Sequence, residues 1–345
     1  MGIGMDALLH DLDAFALRLA QRQYRRAGIE MFLVLEDLQP TTADPLPLID
    51  ASGQPLAALV EAVALRRLAL QQDDPVRALQ AALEIVATYD FGQAHAPTRD
   101  HLDPSVTGED RLPLRLPSAV EPGAAALVRA IRAGRFIRTV NYHNTFAVDR
   151  EQIRAQLTRL AARFQTIDLH ELAALVAGNP WPHARPPLLL FFYEGFRNHY
   201  DVAAPLLAEL GLKGIFCLIP GFNDAPSSTQ FAFGLTNYID VEADEYADPR
   251  LAMSWAEVRA LARQGHAFVC HTMNHTSNDL ADATLAWEIG GAVDRMEWAL
   301  RQKVTAFVWL RGPEWGVEPR ADRFLQQAGI QLLISNFKVQ RIPTN

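Results

Sequence analysis

At 345 residues and 38.3 kDa the chain is long enough for one large domain, or for one domain with a substantial addition. Its 49% apolar and 21% charged residues exclude a disordered or fibrous chain and require a sizeable core. A net charge of −8, with no compensating Lys/Arg run, speaks against a nucleic-acid partner.

Taken from the N-terminus, MGIGMDALLHDLDAF has no basic segment followed by an unbroken apolar stretch, so no signal peptide is expected. No run approaches the roughly 18 apolar residues of a spanning helix, which predicts a cytoplasmic protein without a membrane partner. Leu8, Leu9, Leu12, Phe15 and Leu19 recur at helical spacing, and Ile29 to Leu35 is a compact apolar run with strand character. Further helical tracts cover Leu56 to Leu70 and Val76 to about Tyr89. The polar, proline-dotted stretch DPSVTGEDRLPLRLPSAVEPG reads as a linker. It divides a mainly helical region, 1–120, from a second domain, 121–345. The first region carries no nucleotide-binding glycine loop, and its helices are suited to capping a sheet, narrowing a site or forming a homo-oligomer contact.

Beyond the linker, short apolar runs alternate with helical patterns. Strands are predicted at Phe136–Tyr142, Leu188–Tyr193, Gly214–Ile219, His266–Cys270, Thr305–Leu310 and Gln331–Ser335. Asp168 with Glu171, and Ser254 with Glu257, have capping-box spacing, and Gly178, Gly211 and Gly265 stand at helix exits. Asp279 opens a long helix in which Gly290–Gly291 introduces a bend. Strand–helix–strand repetition implies an α/β fold with a parallel sheet, whose chemistry sits on loops at the strands' C-terminal ends. Cys217 and Cys270 fall in apolar runs and read as buried free thiols.

Two of those strand ends carry candidate chemistry. LLLFFYEGF delivers Tyr193 and Glu194, and FVCHTMNH delivers His271 and His275 on the same side of the sheet. Two imidazoles and a carboxylate suit Zn(2+) or another divalent metal, and the four-residue spacing works if the segment turns helically. The competing interpretation of the pair is one helix-capping histidine and one solvent-facing histidine.

From about Arg138 to Pro343 the sequence resembles the polysaccharide deacetylase family, also called NodB-homology or carbohydrate esterase family four. The resemblance rests on NYHNT, on FFYEGF followed by NHYDVAAPLLAELGLKGIFCLIPGF, on MSWAEVRALARQGHAFVCHTMNH, and on WLRGPEWG. It implies a distorted (β/α) barrel with the helical N-terminal region added. It also implies a divalent-metal hydrolase of acetyl amides or esters on a carbohydrate or small-molecule substrate. Carried over by position, Glu194, His271 and His275 would hold the metal.

Tyr193 stands where the family places its base, and a phenol is a poor base at neutral pH. Arg311 occupies the family's base-orienting position, in a segment lengthened around Glu314. The family's later aspartate and terminal histidine motifs have no counterpart. His143, Glu314 and Tyr193 are therefore the candidates for proton handling. Arg311 is open to pairing with Glu314, with an acidic substrate or with solvent. Asp224 is a further rim carboxylate or a turn residue, and Asn144, Thr272, Asn274 and Asn278 are candidate hydrogen-bonding residues. A deacetylase-like hydrolase leads. A catalytically degenerate binding protein and a lyase or isomerase using Tyr193 are the alternatives.

Overall fold

The computed structural model describes residues 28–35, 136–335 and 338–343. The predicted helices at Leu8–Leu19, Leu56–Leu70 and Val76–Tyr89 lie outside these residues, and so does the linker before residue 120.

In chain order the elements are β1 (Ile29–Leu35), β2 (Phe136–Tyr142), α1 (Arg150–Arg163), β3 (Gln165–Thr166), α2 (Leu169–Val176) and β4 (Pro187–Phe192). A π-helical turn, His199–Ala203, leads into α3 (Ala204–Glu209), followed by β5 (Ile215–Leu218), α4 (Pro220–Asp224), α5 (Ser227–Thr236), α6 (Trp255–Arg263) and β6 (Ala267–Cys270). Next come α7 (Asp282–Leu285), a second π-helical turn at Ala286–Gly291, α8 (Ala292–Leu300), β7 (Ala306–Val308), α9 (Pro319–Gln327), β8 (Leu332–Ile334) and β9 (Lys338–Arg341).

The strands form one sheet of order β2-β1-β9-β8-β7-β6-β5-β4-β3, and a further β2–β4 pairing curls it back on itself. Pairs from β3 through β8 are parallel, as are β2 with β4 and β1 with β9; β8 and β9 run antiparallel. This is the expected α/β architecture, a distorted barrel sheet. The six strands predicted after the linker are all present, and so is the one at Ile29–Leu35. β3 and β9 were not anticipated.

Local chemistry explains the elements. β4 (PLLLFF) is apolar and buried at every position, as a parallel strand covered on both faces must be. Phe192 on β4 stacks between Tyr142 of β2 and Phe216 of β5 at centroid distances of 5.1 and 5.0 Å, which fixes the three strands' alignment. In α1, Ile153, Leu157 and Leu160 form the buried stripe. Both capping boxes form: Asp168 accepts from Glu171 N–H at 2.8 Å, and Glu257 returns a bond to Ser254 N–H at 2.7 Å. The long helix expected from Asp279 instead starts at Asp282, and its glycine pair closes a π-helical turn rather than a simple bend.

β1 is tied in by polar contacts as well as by its strand pairing. Gln156 of α1 donates to Gly28 O (2.8 Å) and accepts from the Tyr142 hydroxyl (2.7 Å). A Cβ at Gly28 would stand 2.3 Å from the Tyr142 ring, so the chain can enter β1 here only as glycine.

Candidate active site

Parallel strands end together, and these ends gather the candidate residues. β2 leads into His143, β4 into Tyr193 and Glu194, β6 into His271, and β7 into the loop bearing Arg311 and Glu314. The His143 and Tyr193 rings stack at 5.2 Å, the Tyr193 and His271 rings meet edge-on at 5.6 Å, and His271 and His275 at 4.7 Å. His275 Nε2 lies 3.7 Å from Glu194 Oε1. The structure thus brings five of the seven sequence-derived candidates into one continuous row.

The two histidines are oriented alike. His271 Nδ1 bonds the Val308 carbonyl (3.0 Å) and His275 Nδ1 the Asn237 carbonyl (2.7 Å), so Nδ1 carries the proton and Nε2 keeps its lone pair. Burial is the main cause that holds His275 neutral, with its pKa lowered to about 4, and that lowers His271 well below the ordinary range. Glu194 is pushed up to about 8, first by burial and then by the negative charge of Asp240. Its Oε2 is buried without a hydrogen-bond partner.

Backbone strain concentrates here. Six non-glycine residues among those described have positive φ, and four are Glu194 (+77°), Thr272 (+63°), His275 (+59°) and Arg311 (+66°). Such conformations cost about 1–2 kcal/mol each and persist where surrounding contacts enforce them. Thr272 shows one such contact, its hydroxyl accepting from Thr276 N–H at 2.8 Å. Gly195 (+77°) lets the chain leave Glu194 past Asn223, to which a Cβ would approach within 3.2 Å.

The remaining candidates have assigned surroundings. Tyr193 is buried, and burial raises its pKa well above 10, so the phenol stays protonated. His143 is lowered to about 4, chiefly by burial and secondarily by His275, and is a neutral imidazole at physiological pH. Glu314 is engaged in an ion pair with the ammonium of Lys338 on β9, 2.8 Å away. Arg311 is exposed. Asp224 accepts two bonds from Arg295 (2.7 and 2.6 Å) and one from Trp255 Nε1 (2.7 Å), which gives it a structural role. Asn274 is bound to Glu288, and Asn278 is buried.

Several supporting residues carry no local sequence signal. Asn198, 1% exposed, accepts from Thr145 N–H and Oγ1 (3.0 and 3.1 Å) and donates to Asn144 (2.7 Å) and Glu245 (2.9 Å). Asn144 in turn donates to the Asp240 carbonyl at 2.7 Å. His199 donates from Nε2 to the His143 carbonyl and is buried against Phe192, Phe196 and Phe216. These contacts pin the His143 loop to the segment that supplies Asn237 and Asp240. Asn144 is a candidate from the sequence, whereas Asn198 and His199, in NHYDV close behind YEGF, are not.

The donor chemistry fits a divalent ion: two Nε2 lone pairs and a buried carboxylate with an unpartnered oxygen. Among the described residues, no three His, Cys, Asp or Glu side chains are already gathered closely enough to hold one. An ion would have to draw Glu194 and the imidazoles together.

Residues 182–333 match the profile of the family described as polysaccharide deacetylase. No curated protein sequence matches the chain. Among solved structures, the chain is similar to the Streptococcus pyogenes deacetylase PplD in complex with acetate (15% identity, 55% of this chain and 79% of that one, TM-score 0.44). It is similar also to IcaB from Ammonifex degensii (18%, 58% and 84%, 0.44) and to the deacetylase domain of BpsB from Bordetella bronchiseptica (16%, 56% and 78%, 0.39). The expectation of a cytoplasmic protein is corrected by these matches, since the matched deacetylases are extracellular or periplasmic cell-surface enzymes. That expectation rested on the apolar pattern of the first residues, which does not determine where the folded domain works. No helix among the described residues is long and apolar enough to cross a membrane. The segment that matches the polysaccharide deacetylase profile, residues 182–333, covers a little under half of the chain and includes the strand ends that carry Tyr193, Glu194, His271 and His275.

Proposed function

We propose that the protein is a metal-dependent deacetylase that hydrolyses an acetyl amide or ester on a carbohydrate. The match of residues 182–333 to the polysaccharide deacetylase profile supports a deacetylase-type hydrolase acting on carbohydrate. One observation carries the finer reading: both imidazoles give Nδ1–H to backbone carbonyls and keep Nε2 unprotonated, beside a buried carboxylate with an unpartnered oxygen.

Glu194, His271 and His275 would hold the ion. When bound, it supplies Lewis acidity toward the acyl oxygen and lowers the pKa of the attacking water. The protonated Tyr193 hydroxyl donates a hydrogen bond to the oxygen on which negative charge develops. His143, neutral and stacked on Tyr193, accepts the proton lost by water and returns it to the leaving nitrogen or oxygen. The low basicity of His143 makes this transfer the weakest step. Burial of Tyr193 and both metal-side histidines excludes bulk water and strengthens each interaction.

The test combines metal analysis of the native protein with a screen of N- and O-acetylated sugars. Zn(2+), Co(2+) or Mn(2+) should bind in a one-to-one ratio, and His271→Ala should abolish both binding and acetate release. A folded protein that refuses all three ions and releases no acetate overturns the proposal. Binding without hydrolysis is the second reading, favoured by the lack of three converged ligand side chains among the described residues. Under it, acetylated sugars bind but release no acetate, and Tyr193→Phe leaves their affinity unchanged.

A further inference from the structure

The chain between the two histidines is held by a residue that belongs to none of the motifs above. Met273 N–H donates to the backbone carbonyl of Glu288 (3.1 Å). Asn274 N–H donates to Glu288 Oε2 (2.8 Å), and Asn274 Nδ2 to Oε1 (2.7 Å). Both carboxylate oxygens are thus engaged by Asn274, and the two residues contacted are consecutive, midway between His271 and His275.

Glu288 is 3% exposed, and no cation pairs with its carboxylate among the described residues. Its surroundings explain how it arrives there. It belongs to the π-helical turn Ala286–Gly291, where the extra residue per turn rotates the following helix relative to the preceding one. The buried Leu285 and Ile289 flank Glu288 along the helix, so the turn directs the carboxylate inward without removing the apolar packing on either side.

The held segment is bounded by left-handed residues at Thr272 and His275, and neither is glycine. From the opposite side Gly221 N–H donates to the Met273 carbonyl at 2.9 Å. Met273–Asn274 is therefore clamped between the start of α4 and Glu288. A four-residue histidine spacing on an ordinary helix would place the imidazoles one turn apart. Here the irregular, clamped backbone instead brings their rings to 4.7 Å, edge to face.

We propose that Glu288 is a positioning residue that sets the spacing and orientation of His271 and His275. The catalytic consequence rests on the hydrolase reading above; the structural one rests on the hydrogen bonds alone. Two carboxylate oxygens accept from two N–H groups of one residue, which a shorter or apolar side chain cannot reproduce. Loss of the clamp frees Thr272 and His275 to relax from positive φ, and the imidazoles separate.

The experiment compares Glu288→Ala with a repaired double variant, Glu288→Gln with Asn274→Asp. In the double variant the introduced amide accepts from the backbone N–H of residue 274 and donates to the introduced carboxylate, so the bonds are restored with the charge moved. Two readouts are taken on full-length protein shown to be folded by circular dichroism. The first is the inter-ring nuclear Overhauser effect between His271 and His275 in metal-free, histidine-labelled protein. The second is Co(2+) affinity. Glu288→Ala should lose the inter-ring signal and bind Co(2+) about ten- to hundredfold more weakly, while the double variant regains both.

Retention of the inter-ring signal by Glu288→Ala, or its absence from a folded double variant, overturns the proposal. If Glu288→Ala does not fold, the double variant alone decides, by whether the signal is present. Failure of the wild-type protein to bind Co(2+) counts against the hydrolase reading, and the inter-ring signal still decides the role of Glu288.

Discussion

Replacing Asn198 with alanine removes a side chain that joins three segments around the candidate site. Four hydrogen bonds disappear: two accepted from Thr145, one donated to Asn144 and one donated to Glu245. A neutral bond of this kind contributes about 1 kcal/mol net, and one to a charged group about 1.5–3 kcal/mol. Glu245 is partly exposed and regains water, whereas Thr145 is fully buried and its N–H stays unpaired. The expected loss is therefore on the order of 3–5 kcal/mol. Equilibrium unfolding in urea measures it directly, as a midpoint lowered by roughly 1 M or more at an unchanged slope. Asn198→Asp is the informative control. It keeps the acceptor for Thr145 but sets a carboxylate against Glu245, so it should be as destabilised as alanine at neutral pH and recover on mild acidification. A loss below about 1 kcal/mol for Asn198→Ala, or a pH-independent Asn198→Asp, would show that the network does not hold the His143 loop.

Three other outcomes can be checked. Tyr193→Phe should lower kcat by about 10²–10³ with little change in KM if the hydroxyl serves the developing oxyanion, and equal effects on both would refute that role. Gly221→Ala places a methyl 2.5 Å from the Met273 carbonyl and 2.7 Å from Asn274 Oδ1; it should weaken Co(2+) binding although residue 221 touches neither histidine ring, and an unaltered affinity would argue against a rigid Met273–Asn274 segment. Burial depresses His199 to about 3 and His266 to about 4, so below pH 6.5 the unfolded chain binds protons that the fold refuses. Stability is then full above about 6.5 and falls by roughly 1.4 kcal/mol per pH unit for each imidazole, down to those values. Glu194, raised to about 8, acts in the opposite sense between about 4.5 and 8. Melting temperature should still drop from pH 6.5 to 5, and a flat profile would contradict neutral buried imidazoles.

Where the sequence was readable, a local rule and the tertiary structure agreed. The strands at Leu188, Gly214 and His266 are short apolar runs bounded by turn residues, and burial rewards them without contradiction. Asp168/Glu171 and Ser254/Glu257 form capping boxes within four residues, so spacing alone suffices. β3 escaped because two residues, Gln165 and Thr166, offer no period. β9 escaped because three of the four residues of KVQR are polar, and the burial of Lys338 depends on Glu314 from a distant loop. The site divides in the same way. His271 and His275 are visible as a motif, but the Asn237 and Val308 carbonyls that orient them lie 38 and 37 residues away. Asn198, Asp240 and Glu288 are ordinary polar residues in the sequence, and only the fold gives each its partner.

The left-handed residues divide into two groups with different uses for anyone raising the heat tolerance of this chain. Arg301, at φ +57°, merely closes α8, and a glycine there would relieve steric conflict without touching any candidate group. The same exchange at Thr272 would ease the backbone equally while loosening the loop that presents the imidazoles, and at Arg311 it would remove the guanidinium itself. A screen for thermal survival alone would accept all three changes, and one that also follows acetate release should keep only the first.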